Sequence, residues 1–241
     1  MKTRANAFLS CFLTLMSFLV FLSDMNTSAY AESFDVSAGF AIAAPQGDHA
    51  DFIDRNAYGV SIEGLYKPTS FPFSIGAEVT FMNYGSEERT EPLSSTIPDL
   101  RVRVENDNNF VSGNFLMRIR PYEGAVSPYF DALVGFKYIF TSTEIVSNQE
   151  VIATDTNFDD ITGEYGIGAG VNIRLFTFEK PVGGTLPATL FLDFKARYIK
   201  GGEAEYLKEG SIIRSGTEVE YETYQSETDM LMYVIGLNLR F

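Results

Sequence analysis

The sequence predicts an all-β protein, an eight-stranded antiparallel up-and-down transmembrane β-barrel, on three observations. Apolar residues alternate with polar, small or charged ones through eight separate segments, and a period of two is that of a strand whose side chains point to opposite faces. The faces opposite the apolar stripes carry charges of both signs, so apolar-out and polar-in is the consistent arrangement. The links between segments alternate short and long, the rhythm of an even barrel with tight turns at one rim and loops at the other.

The chain opens with a segment that is not part of this pattern. Lys2 and Arg4 precede an apolar run from Phe8 to Leu22, about fifteen residues, the length of a signal-peptide core rather than a bilayer span. Asp24 and a polar stretch follow, ending in Ala29-Tyr30-Ala31, an A-x-A cleavage pattern. Residues 1–31 are therefore expected to be a signal peptide cut between Ala31 and Glu32, with 32–241 as the barrel domain. Cleavage would remove the only cysteine, Cys11, and take the net charge from −14 to −15 by loss of Lys2, Arg4 and Asp24.

The first strand carries Phe34, Val36, Ala38, Phe40 and Ile42 on one face, and the second Tyr58, Val60, Ile62, Gly64 and Tyr66. The third carries Phe73, Ile75, Ala77, Val79 and Phe81; the fourth Val111, Gly113, Phe115, Met117 and Ile119; the fifth the even residues from Phe130 to Phe140. The sixth carries the odd residues from Tyr165 to Leu175, the seventh Leu190, Leu192, Phe194, Ala196 and Tyr198, and the eighth the odd residues from Leu231 to Phe241. Short links lie at 67–72, 122–127 and 178–187, each with Pro or Gly, and longer ones at 45–56, 85–108, 142–158 and 201–226. Three short and four long links put both chain ends on the short-turn, periplasmic side. Leu100, Val102 and Val104, and Val219, Tyr221 and Thr223, keep the alternation inside long links. Strands at these places are expected to project past the membrane as a small exposed sheet.

Composition narrows the function classes. The chain has 18 Lys plus Arg against 32 Asp plus Glu, an acidic balance that argues against nucleic acid as partner. One histidine and one leader cysteine leave no multi-histidine or thiolate metal site. No cofactor, metal or catalytic residue is assigned, and the chain is expected not to be an enzyme.

The final segment, Leu231 to Phe241 (LMYVIGLNLRF), resembles the carboxy-terminal signal of bacterial outer-membrane proteins, with Tyr233, Ile235, Leu237, Leu239 and Phe241 in the recognised positions. Ser127-Pro128-Tyr129 running into Phe130–Tyr138 is similar to the small OmpA/OmpX-like and opacity-type barrels. The resemblance spans the whole mature chain and implies location in the cell outer membrane of a Gram-negative cell. It further implies export through the periplasm, assembly by the barrel-assembly machinery and contact with outer-membrane lipid and lipopolysaccharide. The family includes adhesins, structural barrels, narrow channels and a few lipid A enzymes, so it implies fold and place rather than activity. No peptidoglycan-binding domain is expected after Phe241, and without Trp the interfacial girdles fall to Tyr and Phe.

Several groups are candidates for a site. Six inward acids (Asp35, Glu63, Glu78, Asp131, Glu164, Asp193) face seven inward bases (Arg118, Arg120, Lys137, Arg174, Lys195, Arg197, Arg240), Asp35 and Arg120 nearest the rim. Eight strands leave a lumen that side chains fill, so these charges are expected to pair as a plug; a narrow gated channel is the alternative. The glycines of Gly163-Glu164-Tyr165-Gly166-Ile167-Gly168-Ala169-Gly170 alternate within a strand and relieve lumen crowding; they are not a dinucleotide fingerprint, which needs a helix after it. His49 is read as a solvated loop residue. A lipid A-modifying role would need a serine beside it, such as Ser61 or a loop serine. Acidic loops (Asp48, Asp51, Asp54; Glu87, Glu88, Glu91, Glu105, Asp107; Glu203, Glu205, Glu209, Glu218, Glu220, Glu222) are the expected contact surface for divalent cations or host and surface molecules. The leading reading is a monomeric barrel with a structural or adhesin-like role.

Overall fold

The computed structural model describes residues 33–53, 55–68, 73–94, 97–147, 150–178, 187–206, 212–215, 218–221 and 223–241. The leader and the Ala31–Glu32 junction lie outside them. Eight strands close a barrel: β1 (Ser33–Pro45), β2 (Ala57–Lys67), β3 (Phe73–Ser94), β4 (Ile97–Ile119), β5 (Val126–Ser147), β6 (Glu150–Thr177), β7 (Thr189–Gly201) and β12 (Met230–Arg240). A short helix, α1 (Asp48–Phe52), follows β1. Four short strands, β8 (Glu203–Tyr206), β9 (Ile212–Ser215), β10 (Glu218–Tyr221) and β11 (Tyr224–Glu227), lie between β7 and β12. All barrel pairings are antiparallel, and β1 closes on β12 from Asp35↔Arg240 to Pro45↔Met230. The seam is finished by Phe241 N–H donating to Phe34 O at 2.9 Å and Phe34 N–H to Phe241 O at 3.3 Å.

The wall is inverted relative to a water-soluble protein. Outward Phe115 is 75% exposed and Ile167 70%, while inward Arg118 and Arg197 are 0% and 1% exposed. An apolar belt of this extent in water would drive association. About ten residues per strand, rising ~3.3 Å each and tilted ~40°, span the ~25 Å apolar band of a membrane barrel. The polarity is that of a barrel whose outer solvent is hydrocarbon. Inside, Gly168 and Gly170 have no room for a side chain: a Cβ on Gly168 would meet Arg197 Cγ at 2.4 Å, and one on Gly170 the Tyr129 ring at 2.3 Å.

Strand lengths are unequal. β3, β4, β5 and β6 have 22, 23, 22 and 28 residues, against 13, 11, 13 and 11 for β1, β2, β7 and β12. Pairing of β2 with β3 stops at Tyr58↔Asn83 and that of β6 with β7 at Glu164↔Gly201. The β3–β4 and β5–β6 ladders run on to Ser94↔Ile97 and Ser147↔Glu150. Four strands thus leave the closed wall at the mouth far from the chain ends as an open sheet, and Leu100, Val102 and Val104 lie in it. The register shift at Asn83/Gly85 sits where β3 parts from β2, and that at Thr141/Ser142 lies farther out, past the last β6–β7 pair at Glu164; a bulge adds twist and re-aims the strand. The second expected projection differs. Val219 and Tyr221 lie in β10, which pairs with β9, and β11 pairs with β8. The β8–β11 ladder continues β7–β12 with a one-residue offset at the buried Thr228 and Asp229, Thr228 N–H donating to Gly202 O at 3.2 Å.

Candidate functional site

The lumen is built in layers. At the near mouth, beside the chain ends, Asp35 of β1 accepts from Arg240 Nε at 3.1 Å and pairs with Arg120, which also reaches Ser74 Oγ at 3.3 Å. The Arg240 guanidinium lies 4.5 Å from the Phe191 ring centre.

The middle layer holds two guanidiniums among three carboxylates. Arg118 grips Asp131 with Nε at 2.7 Å and Nη2 at 2.9 Å, and its Nη1 and Nη2 lie 2.8 and 3.0 Å from the two oxygens of Glu63. Arg197 donates to Asp131 Oδ2 at 2.6 Å, Glu63 Oε2 at 2.9 Å and Glu78 Oε2 at 2.5 Å. Lys195 donates to Glu63 Oε2 at 2.8 Å and lies 3.7 Å from Glu78 and 3.4 Å from Asp193. Tyr129 donates to Asp193 at 2.6 Å, and its ring centre stands 3.8 Å from the Arg118 guanidinium carbon. The strands explain the meeting. Arg118 faces Asp131 across β4–β5, and Glu63 faces Glu78 across β2–β3. Like charges directly opposite repel, so the Glu63–Glu78 pair depends on the cations that reach across from β4 and β7. Bidentate guanidinium–carboxylate geometry is the strong form of such contacts.

Above this layer Lys137 lies 3.4 Å from Glu164 and donates to Thr228 O at 2.9 Å, and Asn114 donates to Glu164 at 2.7 Å. Arg174 does not join the lumen charges. It stands opposite Phe191 at the Arg174/Phe176 bulge and is exposed; a bulge re-aims the strand's side chains. Toward the far mouth the lumen turns apolar: Met82, Phe110, Ile139, Met230 and Met232 belong to one buried cluster. The strand pattern contains this layer. Met230, Met232 and Val234 share the inward face of the last strand, opposite its apolar stripe.

A cap covers the far mouth, and His49 is part of it rather than a solvated loop residue. His49, on α1, is buried at 8% exposure. Its Nδ1 lies 3.3 Å from the Tyr206 hydroxyl, its ring meets that of Tyr206 edge-on at 5.2 Å, and Tyr206 pairs with Ser226 Oγ at 2.8 Å. Burial foremost, with Lys137 adding to it and Asp229 opposing, pushes the imidazole pKa down to about 4. His49 is the buried residue of α1, while Phe52, one turn on, is 37% exposed against the Tyr224 ring. Tyr206 is 157 positions away, which no local pattern reports. The serine nearest in this chain of contacts reaches His49 through a tyrosine, and Ser61 is buried in the β2 wall. No direct base–nucleophile pair is formed among the described residues.

Outside the wall the acidic residues are largely ladder positions. Glu88 pairs with Arg103 at 2.9 Å, Arg103 lies 3.8 Å from Glu105, and Ser86 bonds Asp107. Among the described residues no three His, Cys, Asp or Glu side chains are grouped to hold a metal ion. Asp54, Glu209 and Glu222 lie outside the described residues.

No protein-family model and no curated protein sequence matches the chain. Among solved structures it is similar to Ail, the attachment invasion locus protein of Yersinia pestis, at 13% identity and TM-score 0.44 over 88% of this chain and 100% of that one. It is similar also to Neisserial surface protein A, at 12% and 0.43 over 89% and 98%. A major outer membrane protein from Thermus thermophilus stands at 12% and 0.44 over 88% and 100%.

Proposed function

We propose that this chain is a monomeric, non-enzymatic barrel of the bacterial outer membrane, with a scaffold for a lumen and a recognition surface outside. The unequal strands carry the reading. About ten residues per strand suffice to cross the apolar band, yet β3–β6 have 22 to 28. The surplus forms an open sheet with acidic ladder positions at the far, external mouth. Open strand edges offer backbone for pairing with a partner, and carboxylates suit divalent cations or basic surfaces of host and neighbouring molecules. The outward belt meets lipid and lipopolysaccharide, and the final strand is the segment offered to the barrel-assembly machinery. Buried, paired charges with an apolar layer and a cap above them speak for a closed lumen.

The test trims the projecting hairpins at their own register pairs. One deletion joins Gly85 to Asn108, the other Ser142 to Thr156, each through a two-residue turn. Full-length and trimmed barrels, displayed on cells, are compared on glycan and matrix-protein arrays, with heat-modifiable gel mobility reporting the folded barrel. Binding lost on trimming supports the reading; binding unchanged by trimming overturns it. Single-channel recording of the refolded full chain serves as the second arm. A silent bilayer is expected, and openings altered by Lys137→Ala would make transport the function.

A further inference from the structure

The cap has the construction of a movable part. α1 is five residues long, too short to hold itself together. It is entered through Gly47, whose φ of 57° is a conformation glycine adopts without strain. Among the described residues it is held by the His49–Tyr206 hydrogen bond and ring contact, a tilted Phe52–Tyr224 ring pair at 5.4 Å, and burial of Ile53. The barrel wall beneath is continuous antiparallel ladder, so α1 is the closure with the least holding it.

We propose that α1 is a lid on the far mouth of the lumen, latched by neutral His49 and released when His49 takes up a proton. The groups facing the imidazole set the sign. Tyr206 of β8, backed by Ser226 of β11, is neutral. Lys137 of β5 lies below and repels a second cation; its own partner, Glu164 of β6, is already engaged. Asp229, before β12, is among the described residues the carboxylate acting in favour of the imidazolium, and it also accepts from Gly201 N–H at 3.1 Å and Tyr198 OH at 3.1 Å. Asp48 and Asp51, on α1 itself, are exposed and screened by water. A buried imidazolium beside Lys137 is poorly compensated, and swinging α1 about Gly47 returns it to water. This uncovers Lys137 and the methionine layer, a change in the mouth that the recognition surface does not require.

The chain has no tryptophan, so Phe52→Trp gives a single reporter on the lid. Emission and acrylamide quenching are followed from pH 7.5 to 3 for the refolded full barrel in micelles, with far-UV circular dichroism in parallel. The expected result is a red shift and increased quenching with a midpoint between pH 6.5 and about 4 while the barrel signal stays constant. The transition is absent in Phe52→Trp/His49→Gln and does not move to lower pH in Phe52→Trp/Asp229→Asn, whose closed lid loses the carboxylate that compensates the imidazolium. A transition that persists in the His49→Gln background belongs to carboxylates and overturns the proposal. So does a flat response, or a change that coincides with loss of the barrel. If Phe52→Trp does not fold, Tyr224→Trp reports the same contact from the other side and is judged by the same outcomes.

Discussion

Replacing Arg197 by Met removes the guanidinium that three carboxylates share. Asp131 and Glu63 keep Arg118 at 2.7 and 2.8 Å, but Glu78 loses its 2.5 Å partner and is left with the Thr80 hydroxyl at 3.4 Å and, as its cation, Lys195 at 3.7 Å. Leaving a buried charge without its partner costs about 3–5 kcal/mol, so a loss of at least ~3 kcal/mol is expected. The comparison is Arg103→Ala, whose pair with Glu88 is about half exposed and is worth at most ~1 kcal/mol. The assay is reversible urea unfolding of the barrel in lipid vesicles, followed by circular dichroism and heat-modifiable mobility. A lower midpoint at unchanged slope marks a stability effect rather than a changed denatured state. Arg197→Met combined with Glu78→Met removes the orphaned charge along with its partner. The double variant should therefore recover part of the loss, with a coupling of about 0.5–3 kcal/mol. An Arg197→Met variant within ~1 kcal/mol of wild type, no worse than Arg103→Ala, would refute the view that the middle layer holds the barrel together.

Three further expectations rest on the same geometry. His49 has a folded-state pKa of about 4 against an ordinary 6.5, so protons bind the unfolded chain first as pH falls. Stability is complete above pH 6.5, declines between 6.5 and about 4 by a total on the order of 3 kcal/mol, and His49→Gln should flatten that part of a pH series of urea midpoints. Gly170→Ala places a methyl against Tyr129 and the Phe194 carbonyl; a loss of folded yield on refolding is expected, and wild-type yield would show that the wall can give. Phe241→Ala should slow appearance of the heat-modifiable form in cells more than refolding of the purified chain, because it removes the end of the segment read as the assembly signal; equal effects on both would assign Phe241 to seam stability alone.

The barrel was legible because a strand's period is two and both of its faces carry a clear chemical label. Phe130 to Phe140 against Asp131 and Lys137 needs no partner strand to be read. Membership of the lumen was legible for the same reason, and it failed at Arg174, where parity still points inward but a bulge breaks the register. Periodicity says which face a residue takes, not how high it stands. The cap was not legible. Its contacts join His49 to Tyr206 and Lys137 to Thr228, 157 and 91 positions apart, and a five-residue helix offers too little sequence for a periodic signal. The apolar upper lumen is visible in Met230, Met232 and Val234, the inward residues at the start of the last strand.

The bulges at Asn83/Gly85 and Thr141/Ser142 have a bearing on how such a chain can change. One lies at the end of the wall and the other just beyond it, so the ladder past each keeps its own count. Residues added to or removed from the projecting hairpins leave the facing of Glu78, Arg118, Asp131 and Lys137 untouched, since no pairing that fixes those positions runs through the hairpin tip. The wall and its projections are separately editable. A hairpin of foreign sequence joined at Gly85 and Asn108 inherits a rigid base, and the same seat can carry unrelated binding surfaces without renegotiating the barrel beneath.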